Sequence, residues 1–135
     1  MLKKTITYTD FNDVERTEDF YFNLTKAELT EMQLTIDGGY SAYVQKIVNS
    51  KDVPSLIKIF KDLIFRTYGV KSDDGRRFIK SEQLSIEFSQ TEAYNKLFME
   101  LATNDEAAAQ FVKGVIPQDL AEEVEKESSS SNDNK

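Results

Sequence analysis

The chain has 135 residues, a formal net charge of −7 and neither cysteine nor histidine. This composition excludes a disulfide framework, zinc sites built from those residues, and any Cys or His nucleophile or base. The length is typical of one domain, and the acidic balance disfavours nucleic-acid binding, which requires a basic surface. No apolar run approaches the roughly 20 residues that span a bilayer, so we expect a cytosolic protein with no signal peptide and no membrane contact.

The first 22 residues predict a β-hairpin. Residues 2–9 alternate between two faces, and residues 15–22 place Phe20 and Phe22 on one face, which is the period of a strand. Between these segments, residues 10–13 supply turn chemistry, since Asp and Asn tolerate left-handed backbone geometry. A hairpin alone is marginally stable in water, so we expect its aromatic face to pack on helices.

A complete set of helix-start signals lies at Thr25. Thr25 and Glu28 form a capping box, and the predicted helix runs to about Ile36 and stops at Gly38 and Gly39. A second helix is predicted after the glycines, because apolar residues recur there at the spacing of one helix face. These residues are Tyr40, Tyr43, Val44, Ile47 and Val48.

The most apolar predicted helix begins at Pro54, reaches Tyr68 and ends at Gly69. Apolar side chains cover most of its circumference, so we expect Phe60 and Leu63 to lie in the core. The helix still offers more apolar surface than one neighbour can cover, which leaves a peptide groove or a self-association surface as a second interpretation. The candidate client or self-association surface comprises Tyr43, Ile47, Ile59, Phe60, Leu63 and Phe65.

The segment after this helix predicts a turn followed by shorter helices. Residues 71–80 are polar, and residues 73–77 predict a solvated turn between helices. A short helix is expected over residues 82–88. Two further capping boxes predict the starts of the last two helices: Ser89 with Glu92, and Thr103 with Glu106.

The composition changes after Pro117. Residues 118–135 contain six acidic and two basic residues and finish in SSSSNDNK, which has no apolar side chain. We therefore predict one α+β domain over residues 1–117, in which an N-terminal β-hairpin packs on a mainly helical bundle. An acidic, largely disordered tail over residues 118–135 follows it.

No group of residues has the spacing of a catalytic, cofactor or metal site. Residues 73–77 do not match a calcium-binding loop, and Gly38 and Gly39 lack the frame of a phosphate loop. Helix capping and surface exposure account for the carboxylates that an acid–base pair would need. We expect no cofactor, no metal and no enzymatic activity. The carboxylates concerned are Glu92, Glu100, Asp105 and Glu106.

Two long stretches of the sequence are similar to tail assembly chaperones of long-tailed phages and prophages of Gram-positive bacteria. They are TITYTDFNDVERTEDFYFNLTKAELTEM and DDGRRFIKSEQLSIEFSQTEAYNKLFMELATNDEAAAQFVKGVIP. The resemblance covers about residues 3–117 and marks a family without marking an active site. Where the family has DFNG in the hairpin turn, this chain has Asp13 in place of the glycine.

The resemblance implies a non-enzymatic protein that binds the tape-measure protein, a long and largely helical chain that sets tail length. Such chaperones keep this client soluble until tail-tube subunits polymerise around it. They act in the cytoplasm of the infected bacterium and are absent from the mature virion. A longer form, made by ribosomal frameshifting, is thought to recruit the tail-tube protein, and this chain resembles the shorter form. Two alternatives stay open: a small structural protein of the tail or virion, and a non-enzymatic regulatory adaptor.

Overall fold

The computed structural model describes residues 1–35, 42, 45 and 53–117. Four strands form one antiparallel sheet in the order β1-β2-β3-β4. The strands are Leu2–Thr9 (β1), Glu15–Phe22 (β2), Tyr68–Lys71 (β3) and Phe78–Ile79 (β4). The helices in this part of the chain are Lys26–Thr35 (α1), Val53–Thr67 (α2), Glu82–Ser89 (α3), Glu92–Thr103 (α4) and Asp105–Gly114 (α5).

The predicted α+β class is confirmed, with an N-terminal hairpin packed on helices. Three predicted features lie outside the described residues: the end of the first helix at Gly38 and Gly39, the second helix that carries Tyr43 and Ile47, and the tail over 118–135. They stay predictions.

The β1–β2 hairpin ends in a tip organised by the carboxylate of Asp10. This carboxylate accepts hydrogen bonds from the backbone N–H groups of Asn12 at 2.8 Å and Val14 at 3.0 Å, and from the Arg16 guanidinium at 2.6 Å. Asp13 has a φ of 62°, which is left-handed backbone. The position where the resembling family has glycine therefore needs the conformation that glycine adopts most easily, and Asp is among the residues that tolerate it.

The first helix begins as predicted. The Thr25 hydroxyl accepts from the N–H of Glu28 at 3.1 Å, and the Glu28 carboxylate accepts from the N–H of Thr25 at 2.9 Å. Both bonds of a capping box are thus present. Leu24 and Leu29, which occupy the flanking hydrophobic positions, are buried and fix the angle at which the chain enters the helix.

The two later capping boxes were wrong in position. The hydroxyl of Thr91 caps α4 and the amide oxygen of Asn104 caps α5, and each accepts from the backbone N–H three residues further on at 3.1 Å. Ser89 and Thr103 instead lie in the last turn of the preceding helix, and their hydroxyls donate to carbonyls of that helix. Ser and Thr can bond to either side of a helix boundary, so their presence alone does not say which helix they belong to.

Strands β3 and β4 were not predicted. Helix α2 ends at Thr67, and Tyr68 already pairs with Phe22 of the hairpin. The backbone N–H of Asn23 donates to the carbonyl of Thr67 at 2.8 Å, which joins the end of the helix to the sheet. The turn over residues 72–77 therefore connects two strands, whereas the sequence had indicated a turn between helices.

Phe22 is the centre of an aromatic cluster that holds the sheet on the helices. Its fully buried ring has centroid distances of 5.2 Å to Phe111, 5.8 Å to Tyr68 and 5.9 Å to Phe88. Tyr68 stacks on Phe88 at 4.3 Å with 9° between the ring planes. The expectation that the aromatic face of the hairpin packs on helices is confirmed.

Candidate functional site

The predicted surface residues separate into three groups. Phe60 and Leu63 are buried, with 2% and 0% of their surface exposed, so their predicted place in the core is confirmed. Ile59 and Phe65 are half-buried, and Tyr43 and Ile47 lie outside the described residues. In this conformation Phe60 and Leu63 offer no surface to a partner, because the core of the protein covers them.

Phe65 lies in a groove of about 480 Å³ between α1, the last turns of α2 and the start of α3. Leu24 and Met32 contribute the other apolar side chains of its lining. Both are almost fully buried, which places them at the base of the groove, whereas Phe65 is partly accessible. The groove thus has an apolar base and one accessible aromatic ring, the usual composition of a site for an apolar side chain.

Contacts on both sides hold Phe65 in place. The hydroxyl of Ser85 on α3 donates to the backbone carbonyl of Phe65 at 3.0 Å. The ammonium group of Lys61, one turn earlier on α2, lies 5.8 Å from the centroid of the ring. The bond from Ser85 joins α2 and α3 at this residue and holds the backbone that carries the accessible ring.

Lys80 closes one end of the groove. Its ammonium group donates to the carbonyl of Asn23 and to that of Arg66, both at 2.9 Å, and forms an ion pair with the carboxylate of Glu28. The carbonyl of Arg66 belongs to the last turn of α2, where a cation is favourable. Lys80 therefore links α1, α2 and the segment after β4. Its positive charge is compensated by the carboxylate and carbonyl groups of the protein itself.

The outer rim of the groove is acidic. Glu28, Glu31 and Glu82 line it, and Glu31 and Glu82 are exposed. The two basic residues in the lining are already engaged, since Lys80 pairs with Glu28 and Arg66 pairs with Asp62 at 2.8 Å. An apolar side chain flanked by basic residues on a helix has the chemistry that complements this site.

The clear pKa shifts among the described residues have structural causes outside the groove. A hydrogen bond to Glu18 raises the pKa of the Tyr8 hydroxyl, and burial raises the pKa values of Tyr68 and Tyr94. The Arg16 guanidinium lowers the pKa of the Asp10 carboxyl. These groups stabilise the hairpin and the aromatic cluster, so they indicate packing and not an acid–base pair.

Residues 1–35, 42, 45 and 53–117 hold no cluster of three or more potential metal ligands. Across those ranges, no helix combines the length and the hydropathy that crossing a bilayer requires.

The fold is that of a small α+β protein, and the groove beside Phe65 is its candidate site. The family model described as phage tail assembly chaperone matches residues 1–135, the whole chain. This protein therefore belongs to the phage tail assembly chaperone family. Comparisons with curated proteins and with solved structures returned no significant match.

Sequence reasoning identified Phe65 but not the groove around it. Met32 and Glu82 were not singled out, because no short-range pattern links α1 to the start of α3. A charge on an exposed helix start usually serves the helix alone, so Glu82 carried no distinguishing signal.

Proposed function

We propose that this chaperone binds the tape-measure protein in the cytoplasm of the infected host, keeps it soluble and supports polymerisation of the tail tube around it. The protein then leaves the assembly and is absent from the mature virion. The family match over the whole chain is the observation that carries this proposal. The groove adds a means of binding, and its chemistry agrees with a helical client.

The proposed contact is a helix of the client lying in the groove. An amphipathic helix places apolar residues at i, i+3 and i+4, so one or two of them reach the ring of Phe65. Basic residues beside that stripe face Glu82 on the rim. The apolar contact provides most of the affinity, and the charges set the orientation and the rate of association.

We propose that a longer, frameshifted form of the same chain recruits the tail-tube protein. In that form residues 118–135 connect the chaperone domain to the extension. A polar, acidic segment of this composition suits a linker, because it has too few apolar residues to form a core of its own.

Co-expression tests the central claim. The tape-measure protein alone should aggregate, and with this chaperone it should form a soluble complex that persists at about 1 M salt, where exposed charge pairs are screened within about 3 Å. Phe65→Glu should abolish the rescue. Phe11→Glu is the matched control, because Phe11 is 74% exposed at the hairpin tip, and this variant should rescue like the wild type. Melting curves of both variants establish that each one folds.

The composition of the virion distinguishes the chaperone from the alternative, a structural tail protein. Mass spectrometry of purified particles should detect the tape-measure and tube proteins but not this chain. A stoichiometric amount of the chain in particles, together with an insoluble client at every expression ratio, would replace the chaperone proposal with a structural tail protein.

A further inference from the structure

Among the residues that the structure describes, β2 is the only strand that pairs with β1, so β1 is an edge of the sheet. The backbone carbonyl of Thr7 accepts from the ammonium group of Lys96 at 2.5 Å, so it points away from β2. In an antiparallel pair the N–H and C=O of one residue point to the same side, and the side alternates along the strand. The backbone groups of Lys3, Thr5 and Thr9 therefore also point outward, over about 20 Å from Lys3 to Thr9.

The side chains agree with this pattern. Thr7 pairs with Thr17, and their hydroxyl oxygens are 2.9 Å apart. Directly opposed residues that do not exchange backbone hydrogen bonds bring their side chains closest together. Strand β2 shows the same alternation of outward and inward backbone groups. The N–H of Asn23 points away from β1 and donates to the carbonyl of Thr67, just before β3.

Helix α4 runs beside this free edge and leaves a groove of about 540 Å³ between helix and strand. Thr5 and Thr7 line one wall, and Met99 and Thr103 line the other. Met99 is 56% exposed, although it is a large apolar side chain. This groove shares no lining residue with the groove that holds Phe65.

Three lysines (Lys3, Lys4 and Lys96) and two carboxylates (Asp19, which accepts from the hydroxyl of Thr5, and Glu100) lie along the edge, which leaves a small excess of positive charge. Lys96 bonds to a backbone carbonyl, and Lys3 is exposed on β1. Lys4 is compensated by Glu100 at 3.0 Å. The whole protein has a net charge of −7, so the charge at this edge has the opposite sign to the net charge. A positive edge favours an acidic partner.

We propose that the free edge of β1 binds an extended, acidic segment of a partner protein as an additional strand. The backbone of the segment bonds to Thr5 and Thr7, and one of its apolar side chains contacts Met99. Lys96 exchanges the carbonyl of Thr7 for a carboxylate of the incoming strand. In the unbound protein the same lysine covers the edge, a common protection against unspecific pairing.

A second copy of the chain fits this edge poorly. Each copy carries α4 beside its own β1, so pairing two β1 strands would bring two α4 helices to one junction. A single extended segment brings no helix with it. The occupant we assign is therefore a segment of a different protein, with carboxylates on the face that meets α4.

The probe is a synthetic octapeptide of sequence Thr-Glu-Thr-Val-Thr-Glu-Thr-Val, acetylated and amidated at its ends, which places Glu and Val in turn on one face of an extended strand. Calorimetry should detect binding of this peptide. Replacing Glu by Lys, or methylating alternate backbone nitrogens, should weaken binding at least tenfold. Lys96→Met should weaken binding of the Glu peptide by a similar factor, whereas Lys58→Met, which removes an exposed lysine of α2, should leave it unchanged. Hydrogen exchange at the amides of Thr5 and Thr7 should slow when the peptide is present.

Three results would overturn the proposal. One is absence of binding at millimolar peptide, and another is equal binding of the methylated and unmethylated peptides. The third is a dimer, detected by sedimentation, in which the Thr5 and Thr7 amides are protected without peptide. The exchange measurement uses the wild-type chain, so it stands even if a lysine variant folds poorly.

Discussion

Replacing Leu63 by alanine is the most direct test of the packing of α2 in the core. Leu63 lies on α2 with 0% of its surface exposed, inside the cluster that joins the helices to the hairpin. Leu→Ala at such a site removes buried apolar surface and leaves a cavity, at a cost of about 2–5 kcal/mol in the free energy of unfolding. Ile57→Ala is the control, because Ile57 is on the same helix but 43% exposed. Its cost should stay below about 1 kcal/mol.

Urea denaturation followed by circular dichroism measures both variants. For a domain of this size, 1 kcal/mol corresponds to a shift of roughly 3–5 °C in melting temperature, so Leu63→Ala should lower it by about 6–25 °C. The urea dependence of the free energy should not change, because both variants unfold the same surface. Equal costs for the two variants would refute the reasoning, since they would mean that the face of α2 carrying Leu63 is accessible in solution.

Three further perturbations test local features. Thr91→Ala should cost about 0.5–2 kcal/mol by removing the cap of α4, whereas Ser89→Ala should change the free energy of unfolding by less than about 0.5 kcal/mol. Gly69→Ala should cost about 1–3 kcal/mol, because its Cβ would lie within 2.8 Å of three neighbouring atoms, one of them a backbone oxygen; thermal denaturation measures these changes. The lowered pKa of the Asp10 carboxyl stabilises the hairpin above the unfolded pKa of about 3.9, and this contribution is lost as the pH falls through the lower folded value. An NMR titration should show the lowered pKa, and Arg16→Met should raise it towards the unfolded value.

The features that local sequence determines were predicted well. The hairpin follows from alternation and from a turn that tolerates left-handed backbone, and Asp13 adopts that backbone. The start of α1 follows from two reciprocal side-chain bonds within four residues, Thr25 and Glu28. In both cases every partner in the interaction is close in sequence, so the pattern contains the whole interaction.

Strand β3 was missed because its partner is distant in sequence. The apolar spacing of α2 continues through Tyr68, and no local pattern indicates that the backbone changes from helical to extended at that residue. Pairing with Phe22 and the hydrogen bond from Asn23 decide the outcome, and both residues lie more than 40 positions earlier. Tyr68 then stacks on Phe88, a contact that no local pattern describes.

The candidate groove depends on the same kind of distant contact. Phe65 was identified from the surplus of apolar surface on α2, but Phe60 and Leu63, which look similar in sequence, are buried. The difference in burial arises at the last turn of α2, where Ser85 and Lys80 donate hydrogen bonds to backbone carbonyls. The ring of Phe65 lies there, at the edge of the packed region. A helix wheel shows how much apolar surface exists, whereas the neighbours decide which part stays accessible.

The proposed function requires the chaperone to release its client, and the small accessible area of this groove suits that requirement. Under the proposed function, each copy holds a tape-measure helix mainly through Phe65 and the exposed part of the groove, so a single contact is weak and dissociates quickly. A long client offers many such helices. Many chaperone copies bound along it prevent its aggregation, even though each copy repeatedly binds and dissociates. Tube subunits that polymerise along the client can then displace the copies one at a time. A deep pocket built from Phe60 and Leu63 would bind more tightly, but it would expose the core of the unbound protein and slow release.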